Sequence, residues 1–211
     1  VPRRLPLLFD ILRAGADTAG NAGHLVFTNS DICLQPQFYA AVRLLLAAGA
    51  DSLVVNRRTV GDLASYGAFP DLAAVEAGLR HNGFDCFVLP AAWVAGFVDS
   101  DICVGIPLVG RALLYNMVAH ADRLVILRHS ALTYHYGDDR TWSDPRLEDY
   151  GLHNRAALAG TMDRLLSEPV RRQRLTAFLS AYGERPDVAE WDAILAQVKG
   201  GMSGVPPRPR R

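Results

Sequence analysis

Asn29 and Asp31 stand two positions apart, where the apolar run Leu25-Val26-Phe27 gives way through Thr28 to polar residues. On a turn leaving a strand, residues at i and i+2 can point the same way. A carboxylate with a neighbouring side-chain amide offers hard oxygen donors. Mg²⁺ and Mn²⁺ favour such donors and usually keep water and substrate phosphates in the rest of their shell. Far along the chain, His135 sits in the alternating stretch LTYHYGDDRTW. A neutral imidazole can complete a divalent-metal shell. Asp31 and His135 are therefore the candidate metal ligands, with Mn²⁺ or Mg²⁺ as the ion. The plainer alternatives are that Ser30 or Asp31 caps the helix near Pro36, and that His135 packs beside a turn.

Other charged residues fall where a substrate could meet them. Arg57 and Arg58 close the run DSLVVNRR, and a guanidinium at a strand end suits a diphosphate or a carboxylate. Asp85 follows Gly83-Phe84 at the start of another apolar run. A carboxylate there can act as a base or hold a sugar hydroxyl; the alternative is a turn carboxylate accepting backbone amides. Arg111 lies one turn after Pro107. A cation near a helix start opposes the helix dipole, which points to a bound anion or a carboxylate partner.

The elements that must position these residues alternate. Residues 5–16 have helical apolar spacing, 24–29 read as a buried strand, and 35–50 as a helix with Pro36 in its first turn and Gly49 at its end. Residues 51–58 form a second strand, 71–83 a helix closed by Asn82-Gly83, and 84–90 a third strand stopped by Pro90. A helix over 107–121 and strand-like runs at 123–129 and 131–137 follow. This alternation predicts an α/β fold with a mostly parallel sheet flanked by helices, in which ligands bind at the carboxyl ends of the strands. The predicted domains are an α/β core over 1–143, a helical C-terminal region over 144–199 and a disordered tail over 200–211.

Composition narrows the function classes. Half of the 211 residues are hydrophobic, enough for a sizeable core, and 22 basic residues balance 22 acidic ones. No broad electrostatic grip on nucleic acid or an acidic membrane is expected. No apolar run approaches the ~18 residues of a membrane span. The three cysteines, Cys33, Cys86 and Cys103, each lie in an apolar run and read as buried hydrophobes in a reducing, cytoplasmic setting.

Taken in order, TNSDI at a strand end, NRR, GFDCFVLP, VGIPLVGRALLYN and LTYHYGDD resemble glycosyltransferases of the GT-A fold over roughly residues 5–155. The resemblance implies a nucleotide-sugar donor whose diphosphate is held by Mn²⁺ or Mg²⁺. Asp31 would stand at the acidic metal-binding motif, Asn29 where a first Asp often sits, His135 as the later metal ligand and Asp85 as the carboxylate facing a glycan or small-molecule acceptor. Arg57, Arg58, Arg111 and Asn29 would bind substrate. The family places nucleotide-gripping strands before this motif, and only about 23 residues precede the strand here. The chain, which begins at Val1, therefore reads either as a piece of a longer protein or as a form without that grip. The alternative functional reading is a non-catalytic module of the same type that binds a glycan or a partner protein. A phosphohydrolase also needs clustered carboxylates, but no DxDxT motif is present.

Overall fold

The structure is a computed structural model that describes residues 5–20, 23–61, 70–81, 83–137 and 144–183. The predicted tail, Asp138, Asp139 and residues 184–199 lie outside the described residues. Six α-helices are present among the described residues: α1 (Leu8–Ala19), α2 (Phe38–Ala47), α3 (Leu72–Ala77), α4 (Val109–His120), α5 (Glu148–Ser167) and α6 (Pro169–Gly183). Eight strands accompany them: β1 (His24–Thr28), β2 (Cys33–Leu34), β3 (Ser52–Val55), β4 (Arg58–Val60), β5 (Leu79–Arg80), β6 (Cys86–Pro90), β7 (Leu124–Leu127) and β8 (Thr133–Tyr136).

The chain divides into two compact units. The helical unit takes in most of α1, the segment Val94–His120, and helices α5 and α6; the sheet unit lies within Thr18–Trp93 and Ala121–Arg140. In the helical unit two fully buried asparagines pin irregular backbone. Asn116 on α4 accepts from Val98 N at 2.7 Å and donates to Ala112 O at 3.0 Å. Asn154 on α5 accepts from Cys103 N and donates to Cys103 O, each at 2.9 Å. A buried loop needs such partners, because an unpaired backbone group away from water is costly.

The sheet unit contains two four-stranded sheets, ordered β1-β6-β3-β7 and β2-β8-β4-β5. In the first, β6 runs antiparallel to both β1 and β3, and only β3 and β7 are parallel. In the second, β8 and β4 are parallel, while β2 with β8 and β4 with β5 are antiparallel. This corrects the mostly parallel sheet expected from the sequence. The strands of the first sheet are continuous apolar runs, and β3 is buried along its whole length. Such runs satisfy a strand buried on both faces whichever way its neighbour points. Direction is set by the connections, and these include short strands without periodicity. α2 packs Phe38 and Val42 against Leu53, Val55, Cys86 and Val88 of the first sheet. Val60 and Tyr134 of the second sheet pack with Val75 of α3.

Among the connections that pass from one sheet to the other, two carry polar candidate residues close together. β1 leads through residues 29–32 into β2, and β3 leads through Asn56 and Arg57 into β4. Asn29 and Asp31 sit on the first of these crossings and Arg57 on the second, while Asp85 lies between β5 and β6, His135 on β8, Arg58 on β4 and Arg111 on α4.

Candidate functional site

The first crossing carries Asp31. After β1 the chain turns, with Ile32 N donating to Asn29 O at 3.2 Å. Asp31 projects from this turn and its side chain is 56% exposed. It is not a helix cap: α2 begins at Phe38, after β2, and its N-cap residue Gln37 makes no side-chain capping bond. β2 pairs antiparallel with β8, Cys33 opposite Tyr134. That register lays the turn before β2 alongside the residues after Tyr134. His135 Nε2 consequently lies 3.2 Å from Asp31 Oδ2. The ring is 4% exposed, and its Nδ1 lies 2.9 Å from Gly137 O.

These two contacts constrain the ring's protons. A carbonyl oxygen only accepts, so Nδ1 carries a proton and donates it to Gly137. In the neutral ring Nε2 then holds a lone pair, which faces the acceptor oxygens of a carboxylate. Two acceptors at 3.2 Å need positive charge between them, either a second ring proton or a cation. The arrangement fits a divalent ion. A ligating histidine characteristically donates its other N–H to a carbonyl or carboxylate, which fixes its tautomer. Among the described residues no group of three or more His, Cys, Asp or Glu side chains gathers at ligand spacing. Asp31 and His135 could supply two ligands, and an ion held by so few protein groups would draw the rest of its shell from water and substrate phosphates.

The second crossing carries Asn56 and Arg57, and it meets Asp85. Cys86 pairs with Thr28 on one side and with Val55 on the other, so Asp85, one residue before, stands beside both crossings. Thr28 Oγ1 donates to Asp85 O at 3.1 Å. The Asp85 carboxylate is 7% exposed. Its Oδ1 lies 3.4 Å from Arg57 Nη1 and its Oδ2 lies 3.4 Å from His81 Nε2. Burial pushes this carboxyl above the usual carboxylate range. The positive charges of His81 and Arg57 pull the other way, the charge of Asp31 adds to the rise and His135 opposes it. The Asp31–His135 pair and the His81–Asp85–Arg57 group therefore lie within electrostatic reach of each other.

The remaining candidates are placed differently. Asn29 is half-buried at the Asp31 turn. Arg58 is 8% exposed and donates to His129 O at 2.9 Å and to Gly78 O at 3.4 Å, tying loops of the second sheet together. Arg111 belongs to α4 in the helical unit. All three cysteines are free, and burial pushes the Cys86 thiol up to about 12.

His81 is the member of the cluster that the sequence reading passed over. It falls inside the helix expected over 71–83. That helix ends at Ala77, and residues 79–80 form β5 instead. The usable signal was the four-residue spacing from His81 to Asp85. Gly83 leaves room for the ring, since a Cβ there would lie 2.3 Å from His81 Nε2. Asn56 Nδ2 donates to His81 O at 3.4 Å. Among the described residues no helix is long and apolar enough to cross a membrane. Comparison with protein-family models, curated proteins and solved structures finds no match for this chain.

Proposed function

We propose that this chain carries the site of a metal-dependent glycosyltransferase, which moves a sugar from a nucleotide-diphosphate donor to a hydroxyl acceptor in the cytoplasm. The observation that carries the reading is the 3.2 Å approach of His135 Nε2 to Asp31 Oδ2, with Nδ1 donated to Gly137. It joins the motif order TNSDI, NRR, GFDCFVLP and LTYHYGDD, which resembles transferases of this kind. Asp31 and His135 hold Mn²⁺ or Mg²⁺. When bound, such an ion neutralises charge developing on a leaving diphosphate. Asn29, half-buried at the same turn, binds substrate. Asp85, Arg57 and His81 form the buried, charged side of the site, which serves the acceptor.

A second reading is a non-catalytic module of this type that binds a glycan or a partner protein. The direct Asp31–His135 contact also favours it, because an imidazolium–carboxylate pair needs no metal. Melting midpoints in Mn²⁺ with UDP-glucose or GDP-mannose, together with assay of released nucleoside diphosphate, separate the two. The transferase reading expects Mn²⁺ and donor together to raise the midpoint, since a ligand bound only by the folded state adds about 2.7 kcal/mol at a hundredfold excess over its Kd. It also expects nucleoside diphosphate to be released. A midpoint that Mn²⁺ never moves, with no turnover, supports the binding module.

A further inference from the structure

Three polar atoms at the second crossing and beside it are buried without a hydrogen-bond partner: Asn56 Oδ1, Arg57 Nε and Asp85 Oδ2. Asn56 is 4% exposed and Asp85 7%. The antiparallel register that pairs Val55 with Cys86 makes Asn56 and Asp85 the next pair. Side chains of such a pair stand on one face of the strands, with Cβ atoms roughly 5 Å apart. The Asn56 amide is oriented by its neighbour. His81 O only accepts, so Nδ2 points to it, at 3.4 Å, and Oδ1 is the end left without a donor. Arg57 joins from the same crossing, with Nη1 donating to Asp85 Oδ1 at 3.4 Å.

Unpaired buried polar groups are rare, and each one costs stability. Apolar side chains of the same shape would fill this space at lower cost if the fold alone were served. Two acceptors and one donor on three neighbouring side chains match a ligand that gives two hydrogen bonds and takes one. A vicinal diol does this. Each hydroxyl has an O–H to give, and either oxygen has a lone pair to take the third bond.

We propose that Asn56, Arg57 and Asp85 form a subsite for a vicinal diol, with Asn56 as a residue that selects for it. One hydroxyl donates to Asn56 Oδ1, its neighbour donates to Asp85 Oδ2, and one of the two oxygens accepts from Arg57 Nε. This rests on the transferase reading for the choice of a diol over a carboxamide edge, which offers the same donors and acceptor. The diol belongs either to the acceptor or to the sugar and ribose of the donor, and the chemistry at Asn56 is the same for both.

The test is calorimetric titration of the full chain in Mn²⁺ with three probes: methyl α-D-mannoside for an acceptor diol, UDP-glucose for the donor, and cyclohexanol, which has a single hydroxyl. The parent is expected to bind methyl α-D-mannoside and not cyclohexanol. Asn56→Leu, close to the same volume, should weaken that binding roughly tenfold, as expected for one buried hydrogen bond, and leave UDP-glucose affinity unchanged. Its melting midpoint should equal or exceed the parent's, because a buried oxygen without a donor has been removed. A fall confined to UDP-glucose places the diol on the donor and keeps the subsite. Affinities for both probes that do not depend on Asn56 overturn the proposal, as does a parent that binds neither probe. A midpoint lowered by both Asn56→Leu and Asn56→Ala also overturns it, since the amide then serves the fold. If only Asn56→Leu fails to fold, Asn56→Ala carries the binding comparison. Asn56-dependent binding of methyl α-D-mannoside with no release of UDP from UDP-glucose removes the transferase reading and leaves the subsite standing in a binding module.

Discussion

His135 Nε2 lies 3.2 Å from Asp31 Oδ2, although 104 positions separate the two residues in the chain. The antiparallel register of β2 on β8 brings them together, and the proton on His135 Nδ1 is committed to Gly137. Their meeting therefore has a chemical consequence. Nε2 and the carboxylate oxygen both present lone pairs to one small region, which a proton or a cation must fill.

Asp31→Ala is expected to leave stability nearly unchanged, because the side chain is 56% exposed and caps no helix. Its effect falls on activity. Losing a metal's anchoring carboxylate should cost on the order of several kcal/mol of transition-state stabilisation, hence roughly a thousandfold or more in turnover. Urea unfolding beside a turnover assay checks both halves. A large loss of stability with no change in turnover would refute the prediction.

Gly83→Ala places a Cβ 2.3 Å from His81 Nε2 and 2.9 Å from its Cδ2. The ring must swing away from Asp85, and its one-third exposure lets it do so at small cost in stability. Turnover should fall, while the Mn²⁺-dependent midpoint shift remains. Loss of the midpoint shift as well would show that the ring's place is tied to the ion site.

The Asp85 carboxyl is held above its ordinary value of 3.8, chiefly by burial. A raised carboxyl binds its proton more tightly in the folded chain than in the unfolded one. Its contribution to stability is fully present below the ordinary value and is lost as pH rises through the folded value. Stability of the parent relative to Asp85→Asn should therefore fall as pH rises from the ordinary carboxyl value toward neutrality. Urea midpoints of the two proteins across that interval give the comparison. A relative stability that rises with pH would reverse the sign of the argument.

Asn116→Ala leaves the buried Val98 N–H and the Val98 and Ala112 carbonyls without their side-chain partner. Each unsatisfied buried group costs about 1–3 kcal/mol, so a loss of roughly 2–4 kcal/mol is expected. Chemical denaturation measures it. A loss under about 0.5 kcal/mol would mean that the loop finds other partners.

Cys86 is fully buried, and its thiol is pushed up to about 12 by burial. The thiolate is the reactive form, so iodoacetamide should leave Cys86 unmodified until the chain unfolds. Peptide mapping after labelling at neutral pH reads this directly, and rapid native labelling would contradict the packing around β6.

The parts of this architecture that the sequence discloses are those written in long apolar runs. β1, β3, β6, β7 and α4 fall within the runs at 24–29, 51–58, 84–90, 123–129 and 107–121. The two- and three-residue strands β2, β4 and β5 have no periodicity to read. Without them the alternation looked like one parallel sheet. Helix α3 stops at Ala77 because Gly78 passes close to β4, where a Cβ would meet Thr59 O at 2.8 Å; that tertiary approach is invisible in a helical pattern. For the same reason His81 was hidden at a supposed helix end. Arg58 looked like a second strand-end guanidinium, yet it opens the next strand and bonds two carbonyls. The Asp31–His135 pairing was legible because it depends on residue type, a carboxylate leaving a strand and a late histidine, and little on the path between them.

On the proposed reading, Asp31 and His135 hold a divalent ion together with a diphosphate. Calorimetric titration of Mn²⁺ into the chain, with and without UDP, tests it most directly when repeated on Asp31→Ala and His135→Gln. The account predicts saturable Mn²⁺ binding in the parent, tightened by UDP, and at least roughly tenfold weaker binding in either variant. No Mn²⁺ binding in the parent, or equal binding in all three proteins, would contradict it.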